Sequence, residues 1–112
     1  MATYVPKQLG QAVLATTMTD FYIATTYAVI LKGFIFCNLT SNTVKVSIAM
    51  LLNGDTLGNK NYLFSGSGLT LQPGETRPVN FQDVILPIGA KIQMMCDGAS
   101  AVACTASGVE IQ

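Results

Sequence analysis

Histidine is absent from this chain, which removes the commonest general base and metal ligand. No Cys–His or Ser–His–Asp apparatus can be assembled. Acid–base chemistry would have to come from six carboxylates: Asp20, Asp55, Glu75, Asp83, Asp97 and Glu110. Two of them converging could form a glycoside-cleaving pair. Nearly all stand in or beside turn signals, however, where Asp is favoured for local hydrogen bonding. The three cysteines, Cys37, Cys96 and Cys104, form no C-x-x-C pair and have no histidine to complete a zinc set. An odd count leaves at least one thiol unpaired, and buried reduced thiols are the expected state. A cysteine near an interface could instead cross-link subunits in oxidising surroundings. Asn53-Gly54-Asp55 lacks the ligand series of a calcium loop, and Gly66-Ser67-Gly68 lacks the lysine and helix of a phosphate loop. Asn38-Leu39-Thr40 matches a glycosylation sequon but reads as a strand end. The expectation is a protein that is not an enzyme, with no catalytic residue, metal or cofactor.

The remaining chemistry concerns contacts. In LQPGETRPVNF, Leu71 to Phe81, a Pro-Gly turn precedes Glu75 and Arg77, which share one strand parity, and Pro78. The segment reads as a charged, proline-blunted strand edge. Tyr4 and Val5 are the apolar anchors of an expected N-terminal arm. Of Met94 and Met95, one must point away from the core, because successive strand residues face opposite sides. Tyr4, Val5, Glu75, Arg77, Met94 and Met95 are therefore the candidate interface residues. An alternative site is the loop carrying Asn53, Asp55, Asn59, Asn61 and Tyr62, whose amide, carboxylate and aromatic groups suit a glycan.

Period-two patterning positions these groups throughout, with no competing helical stripe. Val44, Val46, Ile48, Met50 and Leu52 form one parity of a strand over 43–52. The other parity begins Thr43, Lys45, Ser47 and turns apolar at Ala49 and Leu51, so this strand runs into a more enclosed place. The strand over 27–39 carries Gly33, which predicts a bulge or a close approach, and Lys32, whose charge should reach solvent. Strands are also expected over 8–16, 21–24, 62–64, 69–71, 76–81, 84–86, 90–96 and 100–112. Turns are expected at Asn53-Gly54-Asp55, Gln72–Glu75 and Pro87-Ile88-Gly89. Thr40-Ser41-Asn42, with Asn42 left-handed, and Asp97-Gly98 read as hairpin loops, and 65–68 as a connector. The expected fold is all-β: a single antiparallel sandwich of about eight short strands, residues 8–112, behind an arm of residues 1–7.

Composition narrows the function. The chain has 112 residues, enough for one domain, and no net charge. Only 11% of its residues are charged, against about 25% in ordinary soluble domains. No basic excess suggests a nucleic-acid partner. No run of 18 apolar residues suggests a membrane span, and no signal peptide is read at the start. Low charge suits a chain that lives in contact with something.

The phrases YVPKQLGQAVLATTMTDFYIA, FIFCNLTSNTVKVSIAMLL, LTLQPGETRPVN and GAKIQMMCDGASAVACTASGVEI resemble small tailed-bacteriophage virion proteins over essentially the whole chain. The resemblance implies a jelly-roll-like structural component of the particle, made in the host cytoplasm and residing in the virion. It implies a capsid cement or decoration protein, a homotrimer partnered with itself and the major capsid protein. Collar, tail and fibre-associated accessory domains belong to the same class, and a carbohydrate-binding adhesion module is the alternative outside it. Such families have packing surfaces and no site motif, so no functional residue is carried over.

Overall fold

The computed structural model describes residues 3–64 and 69–112, without the side chains of residues 82 and 83. The expected connector at 65–68 lies outside the described residues. Among the described residues nine strands are seen: β1 Tyr4–Val13, β2 Thr19–Ile23, β3 Ala28–Asn38, β4 Val44–Leu51, β5 Tyr62–Phe64, β6 Thr70–Leu71, β7 Thr76–Leu86, β8 Lys91–Cys96 and β9 Val102–Ile111. They form two antiparallel sheets. One has the order β1-β9-β3-β7; the other has β2-β8-β4-β5, with β6 also on β4. This is the expected all-β sandwich.

The pairing is nested. β1 pairs with β9, β2 with β8, β3 with β7, and β4 with β5 and β6. The chain is thus a long two-stranded ribbon bent back on itself, and the bend lays β9 against β3 and β8 against β4. Two expected hairpins are corrected by this order. β3 and β4 lie in opposite sheets, and so do β8 and β9. A loop of a few residues fits either a return in the same layer or a step to the facing layer about 10 Å away. Sequence spacing does not distinguish them.

Alternation packs the interior. Val29, Leu31, Phe34 and Phe36 of β3 meet Val46, Ile48, Ile92 and Met94 of the facing sheet. Phe34 stands at the centre of an aromatic group, edge-on to Phe21 and Phe81 at 6.4 and 5.3 Å between ring centroids. β4 is enclosed on both faces toward its end, as its parity suggested: Ala49 and Leu51 are buried beside Val46 and Ile48.

Three turns close as their glycines predict. Asp55 donates its N–H to Leu52, Glu75 to Gln72 and Ala90 to Pro87, at 2.9, 3.0 and 2.9 Å. The third residue of each is a left-handed glycine: Gly54, Gly74 and Gly89, with φ of 86, 70 and 92°. Asn42 is not left-handed; Ser100, with φ of 52°, takes that conformation in the β8–β9 connection. The turn there spans Gly98 to Ala101 instead of centring on Asp97-Gly98.

The first sheet is creased at its middle. Pairing registers shift between Gln8 and Gly10 in β1 and between Leu31 and Gly33 in β3. At the same level, β7 skips from Val84 to Asn80. Gly33 is required there: a Cβ would lie 2.5 Å from the Val79 carbonyl oxygen.

Candidate functional site

The expected arm is mostly strand. From Tyr4 to Lys7 the chain forms the first part of β1, pairing with Ile111 through Gly108. Thr3 and Gln112 exchange backbone hydrogen bonds of 2.7 and 2.8 Å just before it. Pro6 did not prevent this, because β1 is an edge strand and proline is tolerated there. Tyr4 projects with 62% of its surface exposed, whereas Val5 is half-buried on the core-side parity.

β7 is the other edge of this sheet, and it carries Pro78. Arg77 pairs in register with the buried Phe36, so it lies on the core-side parity at the rim of the sandwich. Its guanidinium reaches Glu75 at 2.7 Å, and the other Glu75 oxygen accepts the Gln72 N–H at 2.7 Å. That backbone hydrogen bond, and then Arg77, hold the Glu75 carboxyl below its usual range. The β1 edge repeats the device. Lys7, next to Pro6, donates to Glu110 at 2.9 Å, which raises the lysine and lowers the carboxyl. Each edge of this sheet thus joins a proline to an ion pair on the inward parity, two features that hinder addition of another strand.

Met94 is 1% exposed and belongs to the core. Met95 is the half-buried outward partner, paired with Ser47. Only Met95 of the two can meet another surface. Lys32 is exposed on the outer side of the creased sheet.

The glycan loop is largely committed to its own structure. Asn61 is buried. Its carbonyl oxygen accepts the Gly58 N–H at 2.8 Å, and its amide donates to the Met50 carbonyl and the Asp55 carboxylate, each at 3.2 Å. Asp55 also accepts the Leu52 N–H and lies 3.7 Å from Lys60. The Asn53 side chain rests against Gly89, and Tyr62 is half-buried. Asn59 is exposed, in the short 3-10 turn Asn59–Asn61.

The other carboxylates are similarly placed. Asp20 accepts from Gln93 at 2.8 Å and lies 3.4 Å from Lys91; the Gln93 hydrogen bond is the main cause of its lowered pKa. Asp97 accepts the Lys45 N–H. Among the described side chains each carboxylate has its own partner, and no group of three or more His, Cys, Asp or Glu could hold a metal. The Asp83 side chain is outside the described set. All three cysteines are free thiols. Cys96 and Cys104 sit in opposite sheets, and burial pushes the Cys104 thiol up to about 12. Cys37 is half-buried on the outer face.

Asn38 is the polar centre that sequence spacing did not single out. It is 1% exposed at the end of β3. Its amide donates to the carbonyls of Asn42, Gln72 and Leu71 at 2.7, 3.0 and 3.3 Å. Its oxygen accepts the N–H and hydroxyl of Thr40. One side chain therefore ties the β3–β4 corner to the β6–β7 turn. The sequon signal was real as a pattern, but its asparagine is enclosed.

Alternation also defines an outward surface on the creased sheet. Val109, Ile30 and Ile85 form one cross-strand row; Thr105, Ile35 and Pro78 form another. Between them a shallow hollow of about 510 Å³ is lined by Pro6, Lys7, Gln8, Lys32 and β9 residues 105–109. Among the described residues Lys32 is the sole charge on this outward parity. The other sheet presents the Asp20–Lys91 ion pair and Gln93. The molecule therefore has one polar outer face and one nearly uncharged face. Compared with known proteins, the chain matches no family model, no curated protein and no solved structure.

Proposed function

We propose that this chain is a non-enzymatic structural protein of a tailed-bacteriophage virion, a cement or decoration protein that binds and stabilises the capsid lattice. The observation that carries the reading is the nested strand order. We read a ribbon pairing β1 with β9, β2 with β8, β3 with β7 and β4 with β5 and β6, then rolled, as jelly-roll-like, an arrangement used by capsid and lectin domains. The lectin use is disfavoured by the loop at 53–62, where Asp55 and Asn61 spend their polar groups internally.

The packing physics supports the choice. A lattice offers many equivalent sites, so each contact can be weak while the summed attachment is strong. A nearly uncharged outer face suits contacts that need little desolvation of charge. Blunted edges keep free copies from stacking strand to strand before they reach the shell. The paired carboxylates and the high Cys104 pKa supply no poised acid, base or nucleophile.

The test is to count the chain in purified particles by quantitative mass spectrometry. The cement reading expects a copy number that is a large fraction of the major capsid protein's. A handful of copies per particle points to the collar, tail or fibre, and absence from particles rejects the virion reading.

A further inference from the structure

We infer that the outer face of the β1-β9-β3-β7 sheet is the surface through which one copy of this chain binds another. The edges of this sheet cannot serve as that contact, because Pro6 with Lys7–Glu110 and Pro78 with Glu75–Arg77 obstruct them. The outer face of the opposite sheet holds the Asp20–Lys91 pair, which would have to be desolvated. Of the two sheet faces that leaves the creased one, where Ile35 and Ile85 are each 50% exposed.

Its area is sufficient. Strands of 10 residues are about 33 Å long, and four strands side by side span about 19 Å. Two such faces together bury roughly 1,200 Å², above the roughly 1,000 Å² that a specific contact requires.

The occupant follows from the relief and charge of the face. Among the described side chains its one outward cation is Lys32, which lines the hollow of about 510 Å³ together with Lys7, whose charge is paired with Glu110. Gln8 and Ser107 border that hollow, and neither has a side-chain hydrogen bond to another described residue. A facing copy can lay its Lys32 stem in the hollow, with the ammonium donating to the Gln8 and Ser107 oxygens. Knob and hole lie on the same surface, as a contact between identical copies needs.

This inference does not rest on the virion reading. Sedimentation velocity on the purified chain, up to about 100 μM, tests it. The expected result is a concentration-dependent oligomer. Ile35→Lys and Ile85→Lys should each weaken it by about tenfold or more. Ile88→Lys, on the β7–β8 turn, should leave it unchanged, and circular dichroism should show all three variants folded. A purely monomeric parent chain, or an oligomer indifferent to both face variants, overturns the inference. A monomer in solution that still decorates particles overturns it while leaving the virion reading intact. A self-associating chain missing from particles does the reverse.

Discussion

Replacing Asn38 by alanine removes the clamp between two corners of the sandwich. Three carbonyls share the two N–H groups of its amide, and its oxygen accepts two donors from Thr40. Five hydrogen bonds thus draw on four donor hydrogens, each donor with a net value of about 0.5–1.5 kcal/mol. Asn42 and Gln72 are exposed loop residues whose carbonyls can recover water, whereas Leu71 is buried. The expected cost is about 3 kcal/mol. At about 2.1 cal/mol/K of unfolding entropy per residue, this lowers Tm by about 13 °C. Asn38→Asp is the sharper probe. It keeps the acceptor for Thr40 but turns a carboxylate toward three carbonyl oxygens. Its folded pKa should rise above the ordinary value of about 3.9, because the charged form is repelled and buried. A raised carboxyl pKa gives stability that is present in acid and lost as pH rises through the folded value. The aspartate variant should therefore be weaker than the alanine variant at pH 7 and recover relative to it as pH falls. Urea denaturation of both variants at several pH values measures this. A loss below about 1 kcal/mol for Asn38→Ala, or an aspartate variant with no such recovery, refutes the clamp.

Glycine substitutions separate crowding from backbone conformation. Gly54→Ala meets nothing within 4 Å and should cost only the left-handed conformation, about 1–2 kcal/mol. Gly33→Ala drives a methyl into the Val79 carbonyl, so its urea midpoint should fall further. Native protein should react with iodoacetamide at Cys37 alone at pH 8, and at all three cysteines once unfolded; rapid native labelling of Cys104 would contradict its burial and raised pKa. The lowered pKa values of Asp20, Glu75 and Glu110 give stability that is present above their unfolded values and lost as pH falls through the folded ones. Thermal melts should therefore decline below about pH 4.5, and Lys7→Ala should reduce that decline by removing the Glu110 contribution.

Much of the fold is legible in alternation and turn chemistry. Gly54, Gly74 and Gly89 mark their turns because left-handed backbone is costly for any other residue, and Gly33 marks the crease because no Cβ fits. Parity identified one outward methionine and placed Glu75 and Arg77 together. The layer of each strand was not legible. Thr40-Ser41-Asn42 and Asp97-Gly98 reverse the chain, but whether it returns beside itself or opposite depends on long-range pairing. The β1 start was hidden by Pro6, which forbids a central strand but not an edge. Asn38 was hidden for another reason: two of its partners, Leu71 and Gln72, lie 33 and 34 residues along the chain, so its burial is a property of the corners it joins. The glycan loop looked available because composition does not reveal that Asn61 faces inward.

The virion reading meets its most direct test in an electron cryo-microscopy map of particles carrying this chain. The expected result is a two-layered β density repeated over the capsid shell, with adjoining copies meeting through the creased β1-β9-β3-β7 face. A shell without that density contradicts the cement assignment, and particles without the chain contradict the virion assignment altogether.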